Sequence, residues 1–525
     1  MRPPRAMAAT PARAEAPAAG GPVAPPKSTV EIELKLSVPA LAREAIRQRL
    51  NAYGSQTPTR VASVYFDTPD RRLASQRAAL RIRRIGDGPD AHWVQTLKTD
   101  DNPGALSRRG EWEVKVADPR PHLSGLAESP LKSLLGETTP RLVAVFRTQF
   151  ERTARTVRYQ GAVVEVALDE GRITAGRRAQ PVCEIELELR EGSPSAIFNL
   201  ALDLIGRAGQ GLALRPSIES KAARGYRLAQ RVGERPAHAD AAGFSSLLEP
   251  QRTHLEVARR IVGHGVHLVL ANAEGAALGE DLEYVHQARV ALRRTRSALR
   301  VLGVARAADD PIARDLRWMA DCFGATRDWD VLVSETLPLL RKATGATDAS
   351  WSALIERAQA RRHRQQQRLR ATLGSVRFAR AALRLLQWAE EPPPPTSTAL
   401  MQLARRTIER GHQRLTAAAR DLAELPPQDR HRLRILAKRQ RYALELLAPL
   451  LSGGAPARTL KLLSRLQQLL GEINDVHVAV SVLPALTRSR EVAQRAQRWS
   501  DRVVRRNLPK AQARLERLRK HGSGL

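Results

Sequence analysis

Glu31-Ile32-Glu33-Leu34-Lys35-Leu36 alternates ionic and aliphatic side chains without a break. A period of two is the geometry of an extended strand, whose successive side chains leave on opposite faces. The aliphatic face has a core to join. The other face carries Glu31, Glu33 and Lys35: two oxygen donors suited to a hard cation, then a point charge suited to phosphate. The same rule returns in Arg81-Ile82-Arg83, in the run ending Gln95-Thr96-Leu97-Lys98, in Glu111-Trp112-Glu113 and in Cys183-Glu184-Ile185-Glu186-Leu187-Glu188-Leu189. A sheet that is merely wet outside mixes Thr, Ser, Gln and Lys there, whereas these faces hold carboxylates and cations in close company. A closed barrel with a charged bore accommodates such a pattern.

Working outward, segments 61–66, 78–85, 91–98, 109–116, 150–158, 161–169 and 182–190 read as further strands separated by turn-rich pieces such as GDGPD and DDNPG. Residues 38–54 predict an amphipathic helix bracing a barrel end, and 193–209 a second helix. Residues 1–27 are rich in Ala, Pro and Gly and lack the aliphatic run of a signal-peptide core, so they read as a disordered lead-in. Residues 231–243 read as a linker. Beyond it, 244–525 is helix after helix, rich in Ala, Leu, Arg and Gln and broken at LGVARAADDP, EEPPPPTST, ELPPQD and LSGGAP.

At 525 residues the chain exceeds what one core organises. Its formal charge of +32 divides as +10 in 1–240 and +22 in 241–525. Such an excess points to a polyanion: nucleic acid, an anionic membrane or polyphosphate. Aromatic residues at 4% disfavour base-stacking platforms, and no nucleic-acid-binding motif occurs. No stretch of about twenty apolar residues predicts a membrane span. Cys183 and Cys322 offer neither a disulfide framework nor a metal cluster, so both read as buried thiols in a reducing cytoplasmic interior.

The helical half contains a repeat. His286, Arg289, Arg293, Arg296 and Arg300 fall on one helical stripe about 80° wide, beside an apolar stripe of Val285, Ala288, Leu292 and Leu299. His431, Arg434, Lys438 and Arg441 repeat the spacing beside Leu433, Ala437 and Leu444. GATRDWDVL (324–332) follows the first stripe and GEINDVHVA (471–479) the second, so the half reads as a duplicated unit. Like charges three and four residues apart repel, and the stripes lack nearby acids in sequence; a bound polyanion would relieve that cost. Asp328 and Asp475 are weaker candidates, since an acid there can simply orient an arginine or histidine.

EIELKL, YFDTPDRRL (65–73), ALRIR (79–83), QTLK (95–98), RGEWE (109–113), LDEGRITAG (168–176), CEIELEL (183–189) and SKAARGY (220–226) resemble, in order, segments of the CYTH domain, the triphosphate tunnel family. VHQARVALRRTRSAL (285–299), GATRDWDVL, HRLRILAKRQRYALE (431–445) and GEINDVHVA resemble the CHAD domain. The resemblance implies an α+β multidomain protein: an eight-stranded antiparallel β tunnel at 28–230, and at 244–525 an all-α domain of two four-helix bundles related by a pseudo-twofold. It implies hydrolysis of inorganic tripolyphosphate or a similar short triphosphate with Mg²⁺ or Mn²⁺, and long-chain polyphosphate binding by the helices, with polyphosphate granules as an optional location. Lys35, Arg81, Arg83, Lys98, Arg152 and Lys221 would hold phosphate. Glu31, Glu33, Asp169, Glu184 and Glu186 would hold metal or orient water, with Glu31, Glu33 and Lys35 as the catalytic trio; Arg109, Glu111, Glu113, Glu165 and Glu188 stand in reserve. His286, Arg289, Arg293, Arg296, His431, Arg434, Lys438 and Arg441 would bind polyphosphate. The tunnel part is expected to work alone. The alternatives are an adenylate cyclase, a thiamine or nucleoside triphosphatase, or a polyphosphate binder without catalysis.

Overall fold

The computed structural model describes residues 29–102, 106–136, 141–206, 210–230, 233, 235–304, 309–345, 349–393, 400–418, 421–451 and 455–523; the lead-in 1–27 lies outside them. Nine strands form the N-terminal sheet: β1 (Thr29–Ser37), β2 (Thr59–Asp67), β3 (Ala78–Ile85), β4 (His92–Asn102), β5 (Ser107–Val116), β6 (Val143–Tyr159), β7 (Ala162–Ala175), β8 (Arg178–Glu191) and β9 (Arg215–Ser217). Their order is β5-β4-β3-β2-β6-β7-β8-β1, and β1 pairs back onto β5 to close a ring of eight. All pairings are antiparallel. The segment that opened the reading closes the ring. The first half of β1 pairs with β5 and its second half with the short β9, while its other edge pairs with β8. The two end strands of the sheet are joined over Thr29–Glu33 and Ser107–Glu111.

Alternation then sorts the faces. Leu34, Leu36, Ile185 and Leu187 point outward into a core under helices α1 (Arg43–Asn51) and α4 (Pro194–Ile205), and Glu33, Lys35, Glu184 and Glu186 point inward. Short helices α2 (Arg72–Ser75) and α3 (Leu131–Leu135) cover another part of the wall, and α5 (Lys221–Gln230) packs on β6 and β7. Strand β6 is longer than its sequence suggests, because Val143–Arg152 pairs with β2 on one edge and Arg147–Tyr159 with β7 on the other. It turns into β7 through Gln160-Gly161, both at positive φ (48° and 78°), the twist-matched two-residue hairpin.

The helical half comprises α6 (Ala241–Ser245), α7 (His254–Leu278), α8 (Leu282–Val301), α9 (Pro311–Val331), α10 (Leu337–Thr344), α11 (Ala349–Leu373), α12 (Val376–Glu390), α13 (Leu400–Ala417), α14 (Pro427–Leu447), α15 (Ala455–Val482) and α16 (Arg490–His521). Helices α7, α8, α9 and α11 pack together, α13 to α16 form a second group, and α8 lies against α14 between them. The two halves are not beads on a string. Helix α12 packs on α4, Arg380 donates to the carbonyls of Leu202 (3.1 Å) and Gly206 (2.7 Å), and one apolar core runs through both. The described part of 231–243 is pinned as well: Ala237 exchanges two hydrogen bonds with Asn272, and the Ala239 amide donates to Gln287. Cys183 and Cys322 are half-buried, not fully buried as expected, because each sits at the edge of that core. No helix among the described residues is long and apolar enough to cross a membrane.

Candidate active site

Register across the ring brings the inward charges into contact. Lys35, opposite Glu186 on β8, donates to it at 2.6 Å and lies 2.7 Å from Glu33. Lys98 on β4 bonds Glu31 at 2.6 Å and approaches Glu111 at 3.1 Å. Arg152 on β6 forks onto Asp169 opposite it on β7 (2.8 and 2.7 Å) and reaches Glu186 at 2.5 Å. Lys221, on the first turn of α5, inserts its ammonium among Asp169 (2.6 Å), Glu184 (2.5 Å) and Glu186 (2.9 Å). Burial alone would raise the pKa of Asp169 and Glu186, but Lys221 with Arg152 (and Lys35 at Glu186) more than offsets it, so both stay ionised.

Arg81 and Arg83 on β3 line the opposite wall. Arg81 is 3.7 Å from Glu111. Arg83 forms no ion pair among the described residues, and its buried Nε has no hydrogen-bond partner. Burial, then Arg81 and Arg152, brings its pKa down to about 10, against the opposing influence of Tyr65 and Glu113. Beside it the buried Tyr65, stacked on Phe146 at 4.3 Å, has its pKa lowered: burial opposes this, and the charges of Arg81 and Arg83 prevail. A cavity of about 580 Å³ opens onto Glu33, Lys35, Arg81, Arg83, Lys98 and Lys221, with Asp70, Arg71, Arg77, Tyr226 and Arg227 around its mouth.

The ligand oxygens of Asp169, Glu184 and Glu186 all lie within 4.8 Å of one another. Three carboxylates gathered around one positive centre, now the Lys221 ammonium, form a donor set that fits a hard divalent cation. Glu31 and Glu33 stand apart from this triad on β1. Of the reserve residues, Glu113 accepts from Thr96 (3.2 Å), Glu165 and Glu188 share Arg190 (2.7 and 2.6 Å), and Arg109 pairs through its backbone with Glu31. Burial, and next the charge of Glu31, pushes Glu188 up to about 7.

On the helical side, α8 and α14 bring the two cationic stripes together. Val285, Ala288, Leu292, Leu433, Ala437 and Leu444 are buried, as the adjacent apolar stripe requires. Arg293 and Arg441 lie 5.5 and 4.9 Å from the Tyr442 ring centre. Lys438 falls to about 8, first through burial and then through Arg434, Arg293 and Arg289. Burial also lowers His286, with Arg327 and Arg293 adding, and lowers Arg296. The stripes are less free of acids than the sequence suggests: Asp328 reaches Arg289 (3.2 Å) and Glu445 reaches Arg441 (3.1 Å). His431 meets Asn474 at 2.8 Å. A Cβ on Gly324 would sit 2.8 Å from the Arg289 guanidinium, the mobile end of its side chain, while one on Gly471 of the second repeat would meet nothing within 4 Å.

Sequence reasoning missed Arg224, which grips Glu184 from outside the bore, and Tyr65 between the two β3 arginines. Arg224 was findable: three residues after Lys221 on a helix, it shares that residue's face.

An eight-stranded antiparallel ring with an ionic bore, fused to helices that meet along a basic seam, is the architecture of a CYTH domain followed by a CHAD domain. Residues 29–226 match the CYTH domain and residues 260–484 the CHAD domain, so the chain carries one of each. An inorganic triphosphatase of Haemophilus influenzae is 33% identical over 215 residues, 38% of this chain and 55% of that protein. The chain thus spans about half the length of that relative. The CHAD domain of the plant Ricinus communis is 27% identical and covers 54% of this chain and 97% of its own (TM-score 0.46). A Hippeastrum protein described as an adenylyl cyclase with a dominant triphosphatase activity is 22% identical and covers 39% of this chain and 97% of its own (TM-score 0.28).

Proposed function

We propose that the tunnel hydrolyses inorganic tripolyphosphate, or a similarly short triphosphate, with a divalent cation. The observation that carries this reading is Arg83: a half-buried guanidinium whose Nε is buried without a hydrogen-bond partner and which forms no ion pair among the described residues, in a bore where Lys35, Lys98, Arg152 and Lys221 are all ion-paired. A buried charge left unpaired is costly unless a ligand completes it, and a guanidinium fork suits phosphate. Arg81 and Arg83 from β3 and Arg152 from β6 would clamp phosphoryl oxygens, while Lys35, Lys98 and Lys221 neutralise the remaining charge. Asp169, Glu184 and Glu186, with Glu31 and Glu33, would hold Mg²⁺ or Mn²⁺. When bound, the ion would neutralise charge developing on the phosphate oxygens. One of these acids, Glu31 or Glu33 of β1, would orient the attacking water rather than hold the ion. The H. influenzae relative carries the same activity in its name. Phosphate release from tripolyphosphate, ATP and thiamine triphosphate, each with Mg²⁺, Mn²⁺ or chelator, tests the reading. Tripolyphosphate should be preferred in kcat/KM and chelator should abolish turnover; preference for ATP, or cyclic AMP as product, would favour the cyclase or nucleotidase alternative.

The helical domain would hold long-chain polyphosphate along the seam of α8 and α14. The convergence of two cationic stripes supports a linear polyanion, and one stripe from position 286 to 300 runs roughly 20 Å. At equal phosphate concentration polyphosphate should outcompete double-stranded DNA, and Arg289→Glu with Arg434→Glu should remove that preference. Equal competition by DNA would reduce the stripes to ordinary solvated faces.

A further inference from the structure

A second cavity, about 880 Å³, lies between the domains. The tunnel side contributes Arg43 of α1, Arg215 of β9 and Arg224 and Arg227 of α5; the helical side contributes His267 and Glu274 of α7. Ser220, just before α5, and Ala223 and Arg227 on it line both this cavity and that of the tunnel. Arg235, in irregular backbone just before α6, completes its basic lining.

Two of these arginines are engaged, Arg224 with Glu184 and Arg227 with Glu219. Arg43, Arg215 and Arg235 form no ion pair or side-chain hydrogen bond among the described residues, and the Nε of Arg43 is buried without a partner. The cleft's own carboxylates are Glu219, already engaged, and the exposed Glu274. The Nδ1 of His267 is likewise buried without a partner. Guanidiniums that share a recess and lack counterions repel one another and raise the local positive potential. Their forked donors match phosphate oxygens.

We infer that this cleft is a second binding site for a linear inorganic phosphate chain, contiguous with the mouth of the tunnel. The inference rests on the tunnel reading for its direction: a chain too long for the bore would continue past α5 into the cleft. The lining shared with the tunnel cavity favours an unbranched phosphate chain, the ligand class proposed for the bore, over an acidic peptide.

The test uses the full chain carrying Arg83→Ala, Arg289→Glu and Arg434→Glu, so that the bore and the helical seam are both weakened. Calorimetric titration of this protein with tripolyphosphate in chelator should still show one salt-sensitive site. Adding Arg43→Gln and Arg215→Gln should weaken it roughly tenfold or more, as expected for loss of two charge-assisted contacts. Arg235→Ala, an exposed position in irregular backbone, should weaken it several-fold without disturbing the fold. Absence of binding in the starting variant, or an affinity unchanged with all three arginines replaced, overturns the inference. Tripolyphosphate turnover by the parent protein is a separate readout; its absence would sink the tunnel reading and leave the cleft result to stand or fall on the titration.

Discussion

Lys438 shows what a converging field does to one residue. Its pKa of about 8, against an ordinary 10.5, means that the unfolded chain keeps a proton between those values that the native chain has released. The penalty for charging this site in the fold is therefore present below about pH 8 and fades as pH rises toward 10.5, so native stability rises across that window. A bound polyanion favours the ammonium, so binding above about pH 8 must take up a proton. Polyphosphate affinity should hold steady below that pH and decline above it, and Lys438→Arg should flatten the profile. A parent affinity indifferent to pH from about 7 to about 9.5 would contradict this. In the bore, Glu33→Gln should lower turnover roughly a hundredfold or more, given what a charged group beside the metal contributes; phosphate release measures it, and an unchanged rate would remove Glu33 from the mechanism. Glu33 and Lys35 were legible because alternation within six residues shows which side chains share a face. The partners were not: Arg152 meets Asp169, and Lys221 meets the same carboxylate, only through strand register and the position of α5.

At the level of elements, α5 is the piece most sensitive to a small change. A Cβ on Gly225 would lie 2.1 Å from the Phe146 ring, so the helix sits against the barrel wall at a distance only glycine permits. Gly225→Ala should destabilise the protein by about 1–3 kcal/mol, as overpacking does. Because the shift would move Lys221 and Arg224 out of Glu184's reach, turnover should fall along with the denaturation midpoint. A variant as stable and active as the parent would show that the close approach is dispensable. Sequence periodicity located the eight ring strands, since each carries its alternation locally. It could not show the first half of β6, whose partner β2 lies far off in sequence, nor the short β9, which is only three residues long and is defined by pairing with β1. The duplicated stripes were legible for the same local reason, whereas their meeting at Tyr442 depends on how α8 crosses α14.

For the whole molecule, the shared core alters one expectation. Fragment 28–230 was expected to work alone, yet α4 buries its outer face against α12, and Arg380 caps the carbonyls at the end of α4. Cutting the chain after 230 would expose that apolar face to water. The fragment should keep its tunnel chemistry but unfold at a lower temperature than the same domain in the full chain, and calorimetry of both would show it; identical transitions would mean that the interface contributes nothing. Composition announced two regimes and a polyanionic partner, but domains that fuse their cores leave no mark in composition. The claim on which the rest depends is that the bore, with its unpaired Arg83, is where tripolyphosphate is bound and cleaved. The most direct measurement is kcat/KM for tripolyphosphate with Mg²⁺ or Mn²⁺ in the parent and in Arg83→Ala, alongside the unfolding temperature of each. The expected result is a loss of roughly a hundredfold or more with the fold intact, comparable to removing one preorganised donor from a catalytic anion site. Equal kcat/KM in the two proteins would contradict the account.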